Sequence, residues 1–164
     1  MRVLLMRHSI AVDPYDAPTD ESRWLTSEGR GRARAIAAAL RPRVQLTHAL
    51  ASPLVRAMQT ADLMCEGLGY EGELVTHAAL AVEHGTTAQA LAPLDDMPHD
   101  AVVLMVTHAP KVRVLASHLS QREDIPSFRT GSALCVDIAK DDRRSIVFSL
   151  EPSPLVVHEN DFSR

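Results

Sequence analysis

The chain lacks the features that mark several large classes of protein. Its 164 residues include only two cysteines, Cys65 and Cys135, too few for a disulfide framework or a four-thiolate zinc site. No apolar run approaches the roughly 18 residues of a membrane span. The continuous apolar run before Arg7, Val3–Met6, has only four residues, too few for the core of a signal peptide. These absences predict a reduced, cytoplasmic protein that does not associate with a membrane.

Lysine is also scarce, and the charge balance is mild. Only Lys111 and Lys140 are lysines among the 17 basic residues, which are mixed with 21 acidic ones to give a formal charge of −4. A nucleic-acid-binding protein has a strongly basic face, so we predict no nucleic-acid partner. The excess of arginine suits forked recognition of anions, but a GC-rich genome produces the same excess, so it favours neither interpretation.

What is present is typical of a single globular domain with a substantial core. Apolar residues recur at helical spacing, most weakly in the last of these segments: Ser27–Leu40, Leu54–Leu68, Lys111–Leu119 and Thr87–Leu94. Thr26 and Ser52 are candidate N-caps for the first two helices. Strand-like apolar runs occupy Arg2–Met6, His48–Ala51, Leu74–Thr76, Ala101–Thr107, Ala133–Ile138 and Ser145–Leu150.

The order of these segments predicts an α/β fold, a three-layer α/β/α sandwich around a mostly parallel central sheet. Arg2–Met6 and Ala101–Thr107 are nearly continuous apolar runs, as in strands that are covered on both faces. The last two strands flank a polar turn and predict an antiparallel hairpin at one edge. No repeat or linker divides the chain. We therefore expect one domain over residues 1–150 and a polar C-terminal tail over 151–164.

Basic and imidazole side chains follow two of the predicted central strands. Arg7 and His8 end the first strand, and His108 ends the strand Ala101–Thr107 in the same manner. If both strands are central and parallel, the imidazoles emerge at one edge of the sheet, where ligands of open α/β sheets bind. Arg56, in the first turn of its helix, can point into the same crevice with the helix's own free N–H groups. This arrangement suits a phosphate dianion.

These side chains also suit the chemistry of phosphoryl transfer. That reaction spreads negative charge over three equatorial oxygens, and each guanidinium fork binds two oxygens at once. A neutral imidazole can attack phosphorus directly, and water then hydrolyses the phosphohistidine that forms. A second imidazole can donate to the phosphate oxygens from the opposite side. The scheme requires no metal and no cofactor, and the remaining histidines lack the spacing of a zinc site.

Four segments in order resemble the histidine phosphatase superfamily: Leu5–Ser9, Leu25–Gly29, Ser52–Ala61 and Val106–Pro110. The third, with its pattern S-P-x-x-R-A-x-Q-T, is the most specific. The similarity spans roughly residues 1–150, and the short chain is most similar to the branch of SixA-like phosphohistidine phosphatases. The resemblance implies a phosphoglycerate mutase-like fold and a hydrolase.

The resemblance also implies roles for individual residues. His8 corresponds to the phosphorylated nucleophile, and Arg7 to the arginine that holds the phosphoryl group beside it. Arg56 matches the second phosphate-binding arginine, and His108 matches the second histidine of the pocket. Arg23 is either a substrate-side arginine or a solvated loop charge.

The chain departs from the superfamily pattern at the following positions. Ser9 stands where many members have Gly or Ala, and it adds a hydroxyl that we expect near the phosphate. Mutases and larger phosphatases carry a general-acid glutamate a few residues before a glycine, but Glu83 lies too close to Gly85 for that pattern. Glu83 and His84 are therefore either proton donors or ordinary loop side chains. SixA-like members generally lack such an acid, since a phosphoramidate nitrogen can be protonated before the P–N bond breaks.

We predict a metal-independent phosphatase that acts through a phosphohistidine on His8. Its expected partner is a phosphorylated protein carrying phosphohistidine, because the chain lacks insertions that would enclose a small metabolite. The alternative is a phosphomonoesterase acting on a small phosphorylated molecule, with Glu83 or His84 as proton donor. A mutase is less favoured because the insertions and the acid are both missing. A phosphate-binding module with little turnover ranks last, since all four pocket residues are present.

Overall fold

One mixed sheet runs through the computed structural model, which describes residues 1–159. Its strands are β1 Arg2–Arg7, β2 His48–Ala51, β3 Leu74–Thr76, β4 Val102–Thr107, β5 Ala133–Ile138, β6 Arg144–Pro152 and β7 Leu155–Glu159. Their order across the sheet is β3-β2-β4-β1-β5-β6-β7. The first four strands are parallel to one another, whereas β5, β6 and β7 run antiparallel to their neighbours. The carboxyl ends of β1 and β4 therefore lie together near the middle of the sheet.

The helices of the described residues are α1 Ser27–Leu40, α2 Val55–Leu68, α3 Thr87–Leu91 and α4 Lys111–Ser120. Local chemistry sets their ends. The Thr26 hydroxyl accepts the Gly29 N–H at 2.9 Å and caps α1 as predicted, and Gly69 ends α2 in the left-handed conformation. Thr86 and Gln89 form a capping box at α3. None of these helices is long and apolar enough to cross a bilayer.

Two apolar clusters, one on each face of the sheet, produce the predicted three layers. Along β1, Val3 and Leu5 belong to one cluster, whereas Leu4 and Met6 belong to the other. The first cluster includes residues of α3 and α4, namely Ala90, Leu91, Val112, Leu115, Ala116 and Leu119. The second includes residues of α1 and α2, namely Ile36, Ala37, Leu40, Ala57, Ala61 and Met64. Side chains from both faces of β1 are fully buried, so the strand that leads to the site is rigidly held.

The antiparallel part of the sheet is larger than predicted. The β5–β6 hairpin is confirmed, but β5 pairs with β1 inside the sheet. The predicted tail from residue 151 is wrong for its first part, because β6 continues to Pro152 and β7 pairs with it. Val156 and Val157 are β-branched residues that favour this pairing, and Val157 packs against one apolar cluster. Residues 160–164 of that tail lie outside the described residues.

Two helix boundaries also differ from the sequence-based expectation. The weak helix expected over Thr87–Leu94 is shorter, since α3 stops at Leu91 and a 3₁₀ turn follows over Ala92–Asp96. Pro93 has no N–H to donate to the helix, which explains the early stop. The second helix takes Leu54, not Ser52, as its N-cap.

Two glycines of α1 are in very different surroundings. A Cβ atom on Gly29 would lie 2.0 Å from the backbone oxygen of Ile10, whereas Gly31 has nothing within 4 Å of that position. The same oxygen of Ile10 accepts the Thr26 N–H at 3.0 Å. The start of α1 is therefore packed directly against the segment that follows β1, and only glycine permits this approach.

We expect Gly29→Ala to lower the free energy of unfolding by about 1–3 kcal/mol, because the methyl group forces two backbone segments apart. Gly31→Ala is the matched control. It should raise the free energy of unfolding by about 0.5–1 kcal/mol, since alanine favours the helix and meets no neighbour. Urea denaturation of both variants measures these changes. Equal stability of the two variants would contradict the close packing of α1 on Ile10.

Candidate active site

The pairing of β1 with β4 brings the two predicted histidines together. Arg7 lies opposite Thr107 in the parallel register, and the His8 N–H donates to the Thr107 carbonyl oxygen at 3.0 Å. The residue after each strand therefore leaves the sheet beside the other. The ring centroids of His8 and His108 are 5.0 Å apart, with the ring planes tilted by 55°. The register of two buried strands thus sets the distance between the imidazoles.

A cavity of about 240 Å³ opens at this edge of the sheet. Its charged and imidazole lining comes from Arg7, His8, Arg23, Arg56 and His108. The remaining lining residues are Ile10, Ala11, Val82, Ala109 and Thr130. Burial, reinforced by the nearby charge of Arg56, lowers the pKa of Arg7. A small concave site with this excess of positive charge attracts an anion.

His8 is a neutral imidazole with a defined tautomer. Its Nδ1 atom lies 2.7 Å from the backbone carbonyl oxygen of Ser9. A carbonyl oxygen only accepts hydrogen bonds, so Nδ1 carries the proton and Nε2 keeps the lone pair. Burial lowers the pKa of His8 to about 4; the bond to Ser9 opposes this shift, and the charges of Arg56 and Arg7 add to it. At neutral pH the side chain therefore presents an unprotonated nitrogen.

His108 is neutral as well and is almost completely buried. Its Nε2 atom lies 2.7 Å from the Ser52 hydroxyl, while its Nδ1 atom has no hydrogen-bond partner. Burial, followed by the proximity of His8 and Arg56, lowers the pKa of His108 to about 3. The two imidazoles therefore do not repel each other as cations.

Asp20 joins two of the cavity arginines. Arg56 is buried in the first turn of α2 and donates to the Asp20 carbonyl oxygen at 2.6 Å and to its carboxylate at 2.9 Å. Arg23 donates to the other carboxylate oxygen at 2.9 Å. The hydrogen bond from Arg23, with that from Arg56, lowers the pKa of Asp20, which is thus an ionised clamp. Sequence spacing does not reveal this role of Asp20, because its contact with Arg56 spans 36 positions.

Three buried side-chain atoms of the described residues have no hydrogen-bond partner, and all three belong to residues that line the cavity. They are Nε of Arg7, Nε of Arg56 and Nδ1 of His108. An unpaired buried polar group costs roughly 1–3 kcal/mol, so such atoms are rare in folded proteins. Their concentration in one positively charged cavity is typical of a binding site for an oxyanion, whose oxygens accept hydrogen bonds.

Ser9 does not line the cavity. Its side chain is fully buried and donates to the Gly29 carbonyl oxygen at 2.8 Å, and its N–H donates to the Thr60 hydroxyl at 3.0 Å. Thr60 in turn donates to the carbonyl oxygen of Arg56 at 2.7 Å. The expectation that the Ser9 hydroxyl lies near the phosphate is therefore wrong. These bonds instead hold the segment after β1 against α1 and α2.

Glu83 and His84 also lie outside the cavity lining. Both are exposed in the loop after β3, which contributes Val82 to the cavity. This loop is held by Lys111, whose ammonium donates to the carbonyl oxygens of Ala79 and His84. Among residues 1–159, no group of three or more His, Cys, Asp or Glu side chains is placed to hold a metal ion.

Comparison with known proteins agrees with this geometry. Residues 3–85 match the model of the histidine phosphatase superfamily, branch 1. The chain is 30% identical over 157 residues to the phosphohistidine phosphatase SixA of Escherichia coli (strain K12), an alignment that covers 94% of each chain. The chain belongs to the histidine phosphatase superfamily. It is accordingly an enzyme, a phosphatase.

Solved structures confirm the predicted fold of this histidine phosphatase. The structure of the protein histidine phosphatase SixA complexed with tungstate matches with a TM-score of 0.84 and 27% identity, covering 94% of this chain and 99% of that one. A putative phosphohistidine phosphatase SixA from Agrobacterium tumefaciens matches with a TM-score of 0.78 and 21% identity, over 92% of this chain and 97% of that one. The second match supports the fold alone.

We expect both imidazoles of the histidine phosphatase to stay neutral far below the usual titration range. The ¹⁵N shifts of His8 and His108 should remain those of neutral imidazole down to about pH 5, with midpoints near 4 and 3. Histidine in the unfolded chain titrates at about pH 6.5, so below that pH the unfolded chain binds more protons than the folded chain. Both imidazoles therefore lower the free energy of unfolding as the pH falls from about 6.5 toward 4. A midpoint near 6.5 for either ring would disprove the burial.

Proposed function

We propose that this histidine phosphatase removes the phosphoryl group from phosphohistidine on a protein, through a phosphohistidine intermediate on His8. The observation that carries the proposal is the meeting of a neutral His8 with three unpartnered buried nitrogens in one cavity. The relative from Escherichia coli is a phosphohistidine phosphatase, and the matching SixA structure holds tungstate, a tetrahedral oxyanion.

The first step transfers the phosphoryl group to His8. Its Nε2 lone pair forms a bond to phosphorus, while Nδ1–H donates to the Ser9 carbonyl oxygen and stabilises the charge that develops on the ring. The P–N bond of the substrate breaks, and its electron pair returns to the substrate imidazole. When the second nitrogen of that imidazole already carries a proton, the leaving group departs neutral. No proton donor from the enzyme is then required.

The arginines hold the phosphoryl group during this transfer. Arg7 is fixed by a hydrogen bond from its Nη1 to the Phe128 carbonyl oxygen at 2.9 Å, and Arg56 is fixed by Asp20. In both arginines Nε lacks a hydrogen-bond partner among the described residues, and in the proposed reaction it would donate to an equatorial oxygen. These unpartnered donors support a role of both arginines in binding the negative charge that spreads over the phosphoryl oxygens.

The second step returns His8 to its starting state. Water attacks phosphorus, the bond from phosphorus to Nε2 breaks, and the electron pair returns to the ring. The protons of the water molecule remain with the inorganic phosphate and its surroundings, while Nδ1 keeps its proton on Ser9. Both steps therefore use the same tautomer of His8, since each of them exchanges a group at Nε2.

The nature of the cavity lining favours phosphohistidine over a phosphate ester. An ester leaves as an alkoxide that needs a proton, and a positioned general acid contributes about 10²–10⁴-fold to such a reaction. Glu83 and His84 are outside the lining, and Asp20 is held ionised between two arginines. The site therefore offers little help to an ester but suits a leaving group that supplies its own proton.

We expect a phosphorylated substrate to transfer a covalent, acid-labile phosphoryl group to the protein. His8→Ala should abolish this labelling and lower turnover by a factor on the order of 10⁴ or more, because the nucleophile is lost. His99→Ala, at an exposed position, is the control and should label normally. Rapid quenching with radiolabelled phosphate donor measures the intermediate. Normal labelling of His8→Ala would refute the assigned nucleophile, and a complete lack of labelling and turnover would point to a binding module.

We further expect kcat/KM for a protein carrying phosphohistidine to exceed that for aryl and sugar phosphates by about 10²-fold or more, since no carboxylic acid or charged imidazole among residues 1–159 lines the cavity to act as a general acid. Parallel phosphate-release assays on these substrates measure the ratio. Free phosphohistidine should be included, because it separates the leaving group from the protein around it. Faster hydrolysis of the esters would overturn the substrate class and favour a small phosphorylated metabolite.

A further inference from the structure

Among residues 1–159, the side chain that hydrogen-bonds to the imidazole of His108 is Ser52. Ser52 follows β2 and is fully buried. Its N–H donates to the Val106 carbonyl oxygen at 2.9 Å, which holds it against β4. Its Oγ lies 2.7 Å from Nε2 of His108 and accepts the N–H of Leu54 at 3.3 Å. The serine thus joins the start of α2 to the second imidazole.

The count of protons in this contact distinguishes the two neutral tautomers of His108. If Ser52 donates its proton to Nε2, the imidazole carries its own proton on Nδ1, and one buried donor lacks a partner. If Nε2–H donates to Ser52 instead, both the hydroxyl proton and the Nδ1 lone pair lack recorded partners. Each unmet buried group costs roughly 1–3 kcal/mol, so the Nδ1–H tautomer is favoured.

We propose that Ser52 is a positioning residue that fixes His108 in the Nδ1–H tautomer, so that this N–H donates to the phosphoryl group. The proposal rests on the proposed function only for the identity of the acceptor. His108 lines the cavity, and its Nδ1 is one of the three nitrogens without a partner. The second imidazole is then a hydrogen-bond donor to the oxyanion and takes no proton from water through Nδ1.

This arrangement gives the two imidazoles different tasks while both are neutral. In His8 the Nδ1 proton is used by the Ser9 carbonyl oxygen, which leaves the lone pair of Nε2 free to attack. In His108 the Nε2 lone pair is used by the Ser52 hydroxyl, which leaves the Nδ1 proton free to donate. The kind of partner, an acceptor in one case and a hydroxyl donor in the other, decides which ring is the nucleophile.

The direct test is the tautomer of His108 in the wild-type protein. Long-range ¹H–¹⁵N correlation spectra of the protein labelled at histidine should show a protonated Nδ1 and an unprotonated Nε2. Ser52→Ala should shift the ring toward the Nε2–H tautomer that histidine prefers in water. A wild-type ring with protonated Nε2 would overturn the proposal, and so would an unchanged tautomer in Ser52→Ala.

Kinetics provide the second readout. Ser52→Ala should lower kcat by about 10- to 100-fold with a smaller change in KM, less than the 10²–10³-fold lost with an oxyanion donor itself. Ser52→Thr keeps the hydroxyl and should recover most of this loss. Ser120→Ala is the matched control, since that buried hydroxyl donates to the Ala116 carbonyl oxygen at 2.7 Å within α4. Wild-type kcat in Ser52→Ala would refute the role of the hydroxyl.

The tautomer and the proposed function can fail separately. A wild-type protein that hydrolyses no phosphohistidine but keeps the Nδ1–H tautomer would refute the proposed substrate and leave the role of Ser52 supported. An enzyme that hydrolyses phosphohistidine but holds His108 in the Nε2–H tautomer would support the proposed substrate and refute the role of Ser52. Addition of inorganic phosphate to the wild-type protein tests the acceptor, because a donated Nδ1 proton should move downfield when the cavity is filled.

Discussion

The parallel register of β1 and β4 is the constraint on which the site depends. It aligns the last residues of two strands whose central residues are fully buried, so that His8 and His108 leave the sheet with their rings 5.0 Å apart. A slip of one residue along a strand would turn each following side chain to the opposite face and separate the pair. Burial of β1 by apolar clusters on both faces prevents that slip. Hydrophobic packing thus sets the distance at which the chemistry operates.

The arginines and the burial of the site work together on the protonation of the imidazoles. Burial is the largest cause of the lowered pKa of His8 and of His108, and the neighbouring guanidinium groups add to it. In the proposed mechanism the attacking imidazole must be unprotonated, so the same positive charge that would attract phosphate also favours the free lone pair. Asp20 balances part of this charge by binding Arg23 and Arg56.

The central strands and the residues that directly follow them could be predicted from the sequence, because both depend on local sequence patterns. Apolar runs locate β1 and β4, and the residues that follow them, Arg7, His8 and His108, are fixed by chain connectivity. Contacts between side chains that are distant in the sequence could not be predicted in this way. Asp20 binds Arg56 across 36 positions, and Ser52 meets His108 across 56, so neither contact follows from spacing. The strand after Pro152 was missed because its pairing depends on the exposed edge that β6 provides.

Two serines whose roles the sequence pattern predicts wrongly show that residues behind the imidazoles set their chemistry. Ser52 suits a helix cap in its sequence context, but in three dimensions its hydroxyl lies on the second imidazole. Ser9 suits a phosphate contact, but its hydroxyl points to Gly29 and its carbonyl oxygen holds His8. Ser9 orients His8 through its backbone carbonyl oxygen, and Ser52 contacts His108 through its hydroxyl. The sequence pattern reveals neither contact. Two chemically identical rings acquire opposite roles because one faces a backbone acceptor and the other faces a hydroxyl that can donate.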